Sequence, residues 1–443
     1  MTPGAASRRY LYIIRDLRNF LLYIKYSISK VSNDGGEVMK DILLITNYWH
    51  FEDEKASSRY FTLARMIVEA GMKLEVVTSS FYHGTKRHRN YSKQVLASYP
   101  YKITLISEPG YSKNTSLKRL FSQWVFGRKV LKYVKKRQKP DVIYCVVPSM
   151  EVSDLITRYA NKNHIKVVLD IQDLWPEAFR MIVPIPFLSN ILFYPFKRKV
   201  DGIYSRADEI VAVSQTYVKR AIRYNSRCLR GHCVYLGLEL DKFDLYMNKP
   251  NKIEKKENEI WIVYLGTLGY SYDLISVIDA ISLIQKISHS NIVFQVIGDG
   301  PRGREFKRYA KRKGVRAVFT GKLNYPEMVK RLCRCDIAVN PIDRNSAASI
   351  INKHGDYAAA GLPVINTQRS LEYRRLLESY NAGLNCKLGD TKDLADNLLL
   401  LINSKEARLI MGRNSRSLAE DKFNRNETYK RIIDILQDNK DLK

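Results

Sequence analysis

"SIINKHGDYAAAGLPVIN", residues 349–366, carries a helix and a strand with scarcely a residue between them. Ala358, Ala359 and Ala360 are strong helix formers without bulk. Gly361 stands where a helix C-cap belongs, Pro363 follows it, and Val364 and Ile365 read as a buried strand. The spacing predicts a helix that starts near Asn352 or Lys353, where free backbone N–H groups can hold an anion. So small a helix face packs tightly on a sheet, which holds its N-terminus in place.

The alternation of strand and helix extends in both directions. "IWIVYLG" (260–266), "NIVFQVIGDG" (291–300), "VRAVFTG" (315–321) and "CDIAVNP" (335–341) read as strands separated by helical segments. Upstream, "DILLIT" (41–46), a helix "SRYFTLARMIVEAG" and the strand "LEVVT" (74–78) make a βαβ unit, with Gly71 closing the helix. Further strands are expected at 102–106, 141–147, 165–170, 209–213 and 232–236. Between the two series, "DLYMNKPNKIEKKENE" (244–259) is polar and reads as a linker. The fold class is therefore α/β: two tandem Rossmann-like, doubly wound domains, 39–243 and 260–424, with ligands at the C-terminal ends of their strands. The last helical stretch, within 425–443, is placed to pack back across the first domain.

The 443 residues suffice for two domains, and 45% apolar content allows substantial cores. The net charge of +29 points to a polyanionic neighbour or to phosphate-bearing substrates, or else to plain solubility. Six cysteines, Cys145, Cys228, Cys233, Cys333, Cys335 and Cys386, form no C-x-x-C pair and read as reduced core residues of a cytosolic protein. No secretory signal and no bilayer-spanning run is present in the sequence. "RRYLYIIRDLRNFLLYIKYSISK" (8–30) is either a basic amphipathic interfacial helix or, with the rest of 1–38, untranslated ahead of Met39.

"GDGPRG" (298–303) matches G-x-G-x-x-G, but it follows the second strand of its domain and no acidic residue ends the next one. It reads as a loop beside a ligand cleft rather than a dinucleotide site. No D-x-D pair occurs, so no metal site is expected. "VVLDIQDLWPEAF" (167–179) is the densest polar cluster on the first sheet. Gln172, Asp173 and Glu177 fall where cleft residues belong, unless Asp173 merely caps the next turn.

Taken in order, "DLWPE", "ADEIVAVS", "VYLGLELDKF", "YLGTLG", "VIGDGPRG", "GKLNYPEMVKRLCRCDIAVNP" and "NKHGDYAAAGLPVIN" resemble a GT-B glycosyltransferase of family 4 over roughly 41–437. The resemblance implies two domains facing a cleft, and sugar transfer from a nucleotide sugar, usually retaining and metal-independent, with no cofactor. It implies that the helix at 352 faces the donor diphosphate and that Lys353 adds a full positive charge there. It also implies that Asp356, matching the second acid of the family's E-x7-E motif, holds the ribose. Gly266, Thr267, Gly269, Gly298 and Asn352 complete the expected donor site. Asp173 and Lys353 are the expected catalytic residues, and Arg59, Gln172 and Glu177 the expected acceptor contacts. The chain departs from the family pattern in three places. Ala348 replaces the first acid, Thr267 and Tyr272 stand where a basic pair is usual, and Gln172 replaces a first-domain histidine.

The expected partners are a UDP- or GDP-sugar, a lipid-linked glycan acceptor and an anionic membrane, at the inner face of the plasma membrane in surface-polysaccharide synthesis. Basic residues at 112–140, among them Arg128, Lys129, Lys132, Lys135, Lys136, Arg137 and Lys139, and the apolar "MIVPIPFLSNILFYPFKRK" (181–199), which its prolines should break, are the expected lipid-facing segments. A nucleotide-sugar epimerase on a similar fold is the alternative. A nucleic-acid partner is not expected, because no zinc finger, RNP-like strand or glycine–arginine tract is present.

Overall fold

Every residue of strand β1 from Ile42 to Thr46 is buried, so this apolar run takes the centre of a sheet covered on both faces. In the computed structural model, which describes residues 39–54, 59–113, 116–147, 149–174, 186–228, 230–343 and 349–438, two parallel sheets follow in order. The extension 1–38 lies outside the described residues.

The first sheet holds β1 (Asp41–Thr46), β2 (Lys73–Ser79), β5 (Lys102–Ile106), β6 (Val142–Val147), β7 (Lys166–Ile171), β8 (Glu209–Ala212) and β9 (His232–Cys233), while a hairpin of β3 (Phe81–Tyr82) and β4 (Arg87–His88) follows β2. Its order is β5-β2-β1-β6-β7-β8-β9. The second sheet holds β10 (Glu259–Leu265), β11 (Asn291–Ile297), β12 (Ala317–Gly321), β13 (Ile337–Asn340), β14 (Val364–Asn366) and β15 (Gly383–Asn385), in the order β12-β11-β10-β13-β14-β15. All pairings within the two sheets are parallel. In each domain the chain runs outward from its first strand, then returns to that strand's other side. The direction reverses between β1 and β6, and again between β10 and β13. Such reversal points open a crevice at the C-terminal ends of the strands.

Where the chain passes between domains, two segments run side by side. The Leu238 N–H donates to the Phe423 carbonyl at 2.8 Å, and the Arg425 N–H to the Leu238 carbonyl at 3.0 Å. Gly237 has φ +55°, and a Cβ there would lie 2.4 Å from the Phe423 oxygen, so only glycine allows this approach. Beyond the crossing, helix Lys430–Gln437 buries Ile432, Ile433, Ile435 and Leu436 with Ile42, Leu44 and Val76 of the first domain.

Two expectations need correction. The segment 244–259 is not the connection between domains. The crossing comes earlier, at 236–238, and helix Leu240–Met247 already buries Leu240 and Phe243 in the second domain's core. Polar composition there reflects an edge position, with Lys255 paired to Asp336 at 2.5 Å. The prolines of 181–199 do not break the segment throughout: one helix, Pro186–Ser205, continues through Pro195. A single proline removes one ladder bond, and a 20-residue helix retains the rest.

Candidate functional site

The C-terminal edges of the two sheets face each other. Glu372, in the first turn of helix Leu371–Tyr380 after β14, reaches the N-terminus of helix Gln215–Ile222 after β8. Its carboxylate accepts from the Gln215 and Thr216 N–H groups at 2.6 and 3.1 Å and from the Thr216 hydroxyl at 2.9 Å. A carboxylate on free helix N–H groups is favoured by the dipole, and here it joins the domains across the cleft.

On the second domain, the loop after β10 is shaped by close backbone approaches. The Gly266 N–H donates to Ile297, Leu268 to Asp299 and Arg302 to Leu268, each at 2.9–3.0 Å. Gly298, at φ +141°, comes so near that a Cβ would stand 1.9 Å from the Gly266 oxygen. The glycines of "GDGPRG" therefore serve packing between two loops. Gly298 supports the expected donor loop from behind, while Thr267 is exposed at its tip and a Cβ on Gly269 would meet only the Thr267 methyl, at 3.7 Å.

Helix Asn352–Ala359 forms where the alanines predict, and Gly361 takes φ +63° just past its end. Its N-terminus is presented by packing rather than by a side-chain cap: Ile351 occupies the cap position, and His354 Nδ1 accepts from the Ile351 N–H at 3.4 Å. The buried His354 ring stacks on Tyr373, centroids 3.5 Å apart. Burial, and then the neighbouring Lys353 charge, hold its pKa well below the ordinary histidine value.

Lys353 is not the exposed helix-start lysine its sequence position suggests. It is 6% exposed, and its Nζ has no hydrogen-bond partner among the described residues. The ammonium lies over the rings of Tyr264 and Tyr272, 4.2 and 4.1 Å from their centroids, and a Cβ on Gly266 would be 3.4 Å from Nζ. Burial pushes its pKa well down. Asn352 is exposed beside it. Asp356, one turn on, accepts from the Tyr325 hydroxyl at 3.1 Å, and burial pushes its carboxyl up to about 6 against the pull of Tyr325 and Arg425.

Three strands of this sheet end in asparagine, in register: Asn340 with Asn366, and Asn366 with Asn385. Their amides form a ladder, Asn340 Nδ2 to Asn366 Oδ1 at 2.9 Å and Asn366 Nδ2 to Asn385 Oδ1 at 2.8 Å. Asn340 also donates to Gln368, and Gln368 to the Ser349 carbonyl, which fixes the entry to the helix. The repeated strand-end asparagine is the signal in the sequence that would have revealed this platform.

On the first domain, Arg59 does not reach the cleft. It is buried, paired with Asp170 at 3.6 Å and covered by Tyr429 at 5.1 Å, so the acceptor contact expected of it is replaced by an internal ion pair. A buried arginine is held where a carboxylate compensates it, and Asp170 stands in the core at the end of β7. Gln172 leans on the same carboxylate, Nε2 to Asp170 at 3.3 Å. Asp173 is exposed beyond it. Desolvation by the surrounding chain raises the pKa of its carboxyl, against the opposing charge of Arg119. Glu177 lies outside the described residues. Arg119, missed in the sequence among many bases, sits in the first turn of helix Leu117–Lys136 and donates to the Tyr48 hydroxyl at 3.0 Å.

Residues 247–418 match the family described as glycosyl transferases group 1. An uncharacterized glycosyltransferase of Methanocaldococcus jannaschii, MJ1069, is 23% identical over 254 residues, which are 56% of this chain; the match spans 64% of the relative's length. Among solved structures, Anabaena HepE in complex with UDP is similar at TM-score 0.63 and 15% identity over 90% of this chain and 99% of that one. HepE in complex with UDP-glucose gives 0.60 and 14% over 89% of this chain and 99% of that one. WaaG, a glycosyltransferase involved in lipopolysaccharide biosynthesis, gives 0.61 and 15% over 89% and 99%. The two facing domains thus share the GT-B fold of these structures, and the second of them, with Lys353 and the glycine-shaped loop, carries the match to glycosyl transferases group 1.

Proposed function

We propose that the chain transfers a sugar from a UDP- or GDP-linked donor to a lipid-linked or polysaccharide acceptor, with retention and without metal, in surface-polysaccharide synthesis. The observation that carries this reading is the buried Lys353 ammonium between two tyrosine faces, beside the Gly266 loop and at a helix N-terminus. A buried cation without a hydrogen-bond partner is costly, and an anionic ligand supplies what it lacks. The HepE complexes with UDP and UDP-glucose support a nucleotide sugar as that ligand. The group 1 match favours transfer over epimerisation.

A sugar nucleotide already carries a good leaving group, so the work is electrostatic. As the bond from sugar to diphosphate breaks, charge grows on the diphosphate. Lys353 and the amides of Asn352 and of the 267–270 loop are set to receive it, each such donor contributing about 3 kcal/mol. Asp173, with its raised pKa, is suited to align an acceptor hydroxyl and take its proton. Asp356 serves the ribose.

Docking on an anionic bilayer is part of the proposal. Helix Leu117–Lys136 exposes Leu117 (83%), Leu120, Phe121 and Trp124 in one stripe, with Phe121 stacked on Trp124 and Arg128 over the Trp124 ring. Arg128, Lys129, Lys132, Lys135, Lys136 and Lys139 are exposed around it, whereas Arg137 is turned inward to Asp41 at 2.7 Å. Among the described residues no helix is long and apolar enough to cross a membrane.

The test is a transfer assay with UDP- and GDP-sugars and a lipid-diphosphate acceptor, run with Asp173→Asn and with anionic and neutral vesicles. Turnover with one donor class, loss of kcat in Asp173→Asn and sedimentation with anionic vesicles alone are expected. No transfer from any donor, or equal sedimentation with both vesicle types, refutes the corresponding part.

A further inference from the structure

Glu372 stands on the second domain, but most of what it holds belongs to the first. The Ser214 hydroxyl caps its own helix by accepting from the Tyr217 N–H at 3.2 Å. That leaves the Gln215 and Thr216 N–H groups, both on exposed residues, for a partner from elsewhere. The Glu372 carboxylate takes both, with the Thr216 hydroxyl, and its Oε2 also accepts from the Ser349 hydroxyl at 3.3 Å. Cys233, in the last strand of the first sheet, brings its Sγ to 4.0 Å from Oε1. We propose that Glu372 is a positioning residue, a latch that closes the two domains on the donor and couples that closure to the helix carrying Lys353.

The proposal rests on reading that helix as the donor site. Two links join it to Glu372 inside the second domain. Ser349 leads into the helix, and its carbonyl accepts from Gln368 while its hydroxyl is held by Glu372. Tyr373, next to Glu372 in sequence, stacks on His354, next to Lys353, with the rings 2° from parallel. The starts of the two helices therefore move as one body. Across the cleft, Tyr217 lies in the first turn of the helix that Glu372 caps, and its phenol is raised to about 12 by burial and then by the charges of Asp173 and Glu372. The latch thus sits between the helix of Lys353 and the acid assigned to the acceptor, and its closure sets their separation. It is built to release. Glu372 is half-buried, each of its bonds comes from a neutral donor, and water replaces them when the cleft opens. The crossing at 236–238 keeps the domains connected meanwhile. A nucleotide favours the latched state because Glu372 then fixes Ser349, and the helix N-terminus that meets the diphosphate is already in place.

The experiment follows amide hydrogen exchange of the segment 213–219 in the full chain, alone and with saturating UDP or GDP, alongside calorimetric titration of the same nucleotides. In the wild type, bound nucleotide should slow exchange at Gln215 and Thr216 about tenfold. Glu372→Ala should show no slowing and bind the nucleotide about tenfold more weakly, because the two factors are one coupling read from its two ends. Thr216→Val, made on the other domain, should reduce both the slowing and the affinity. A merely structural glutamate would leave the wild-type exchange indifferent to nucleotide. Binding without slowing in the wild type, or slowing that persists in Glu372→Ala, overturns the latch and leaves the donor assignment standing. Absence of binding by either nucleotide overturns the donor reading, and the latch with it.

Discussion

Lys353→Met should raise stability and lower donor affinity at once. The ammonium has no hydrogen-bond partner among the described residues, and burying such an ion costs several kcal/mol. The two tyrosine faces, 4.2 and 4.1 Å away, return about 0.5–2 kcal/mol each. Methionine keeps most of the apolar stem in the same slot and carries no charge. The difference leaves a gain of about 1–3 kcal/mol for the variant. Charge-assisted hydrogen bonds to a phosphate contribute about 1.5–3 kcal/mol, so affinity for UDP or GDP should fall roughly 10- to 100-fold. The pH dependence has a definite sign. The native pKa of Lys353 lies below the ordinary value of 10.5, so the unfolded chain binds more protons between the two values. Stability of the wild type therefore rises with pH toward 10.5, and the variant lacks that rise. Urea unfolding at several pH values, with calorimetric titration of UDP and GDP, measures all three quantities. A variant less stable than the wild type, or one that binds nucleotide as tightly, refutes the view that an uncompensated cation is kept for the diphosphate.

Gly298→Ala should push the Gly266 loop back by roughly an ångström, because the new Cβ starts 1.9 Å from its carbonyl oxygen. The expected cost is about 2–4 kcal/mol with weakened nucleotide binding, whereas Gly314→Ala, at φ +70° with nothing within 4 Å, should cost about 1 kcal/mol and leave binding intact. For Asp356, the native carboxyl titrates near 6 against an ordinary 3.8, so the native state holds the proton more tightly and stability falls as pH rises through that interval. Asp356→Asn keeps an acceptor for Tyr325, and its stability advantage should grow to about 3 kcal/mol between pH 4 and pH 7, read by denaturant unfolding; an advantage that does not change with pH contradicts the assignment.

The alternation of apolar runs with helices marks the two-domain α/β architecture in the sequence, because strands covered on both faces are built largely from apolar residues. Residues 41–46, 74–78, 260–266 and 291–297 show this directly. The helix at 352 was legible for a similar local reason: alanines before Gly361 and Pro363 leave few other conformations. The strand Gly383–Asn385 was not legible, since three residues with one glycine give no periodicity. Nor was the inter-domain crossing, which depends on Gly237 meeting Phe423, far away in the sequence.

What a charged side chain does was decided only by the tertiary structure. Arg59 and Lys353 both stand in the first turn of a helix, and both read as available to a ligand. Packing gives Arg59 the carboxylate of Asp170 and seals it inside, while Lys353 is left between two aromatic faces at the rim of a glycine loop. Likewise nothing local distinguishes Arg119 from the other bases of its helix. Hydrophobic pattern is a property of neighbours along the chain, and the sequence alone determines it. The free energy of a charge depends on what surrounds it in space, on burial, counter-charges and hydrogen-bond partners drawn from distant segments, and only the folded arrangement of two domains supplies these.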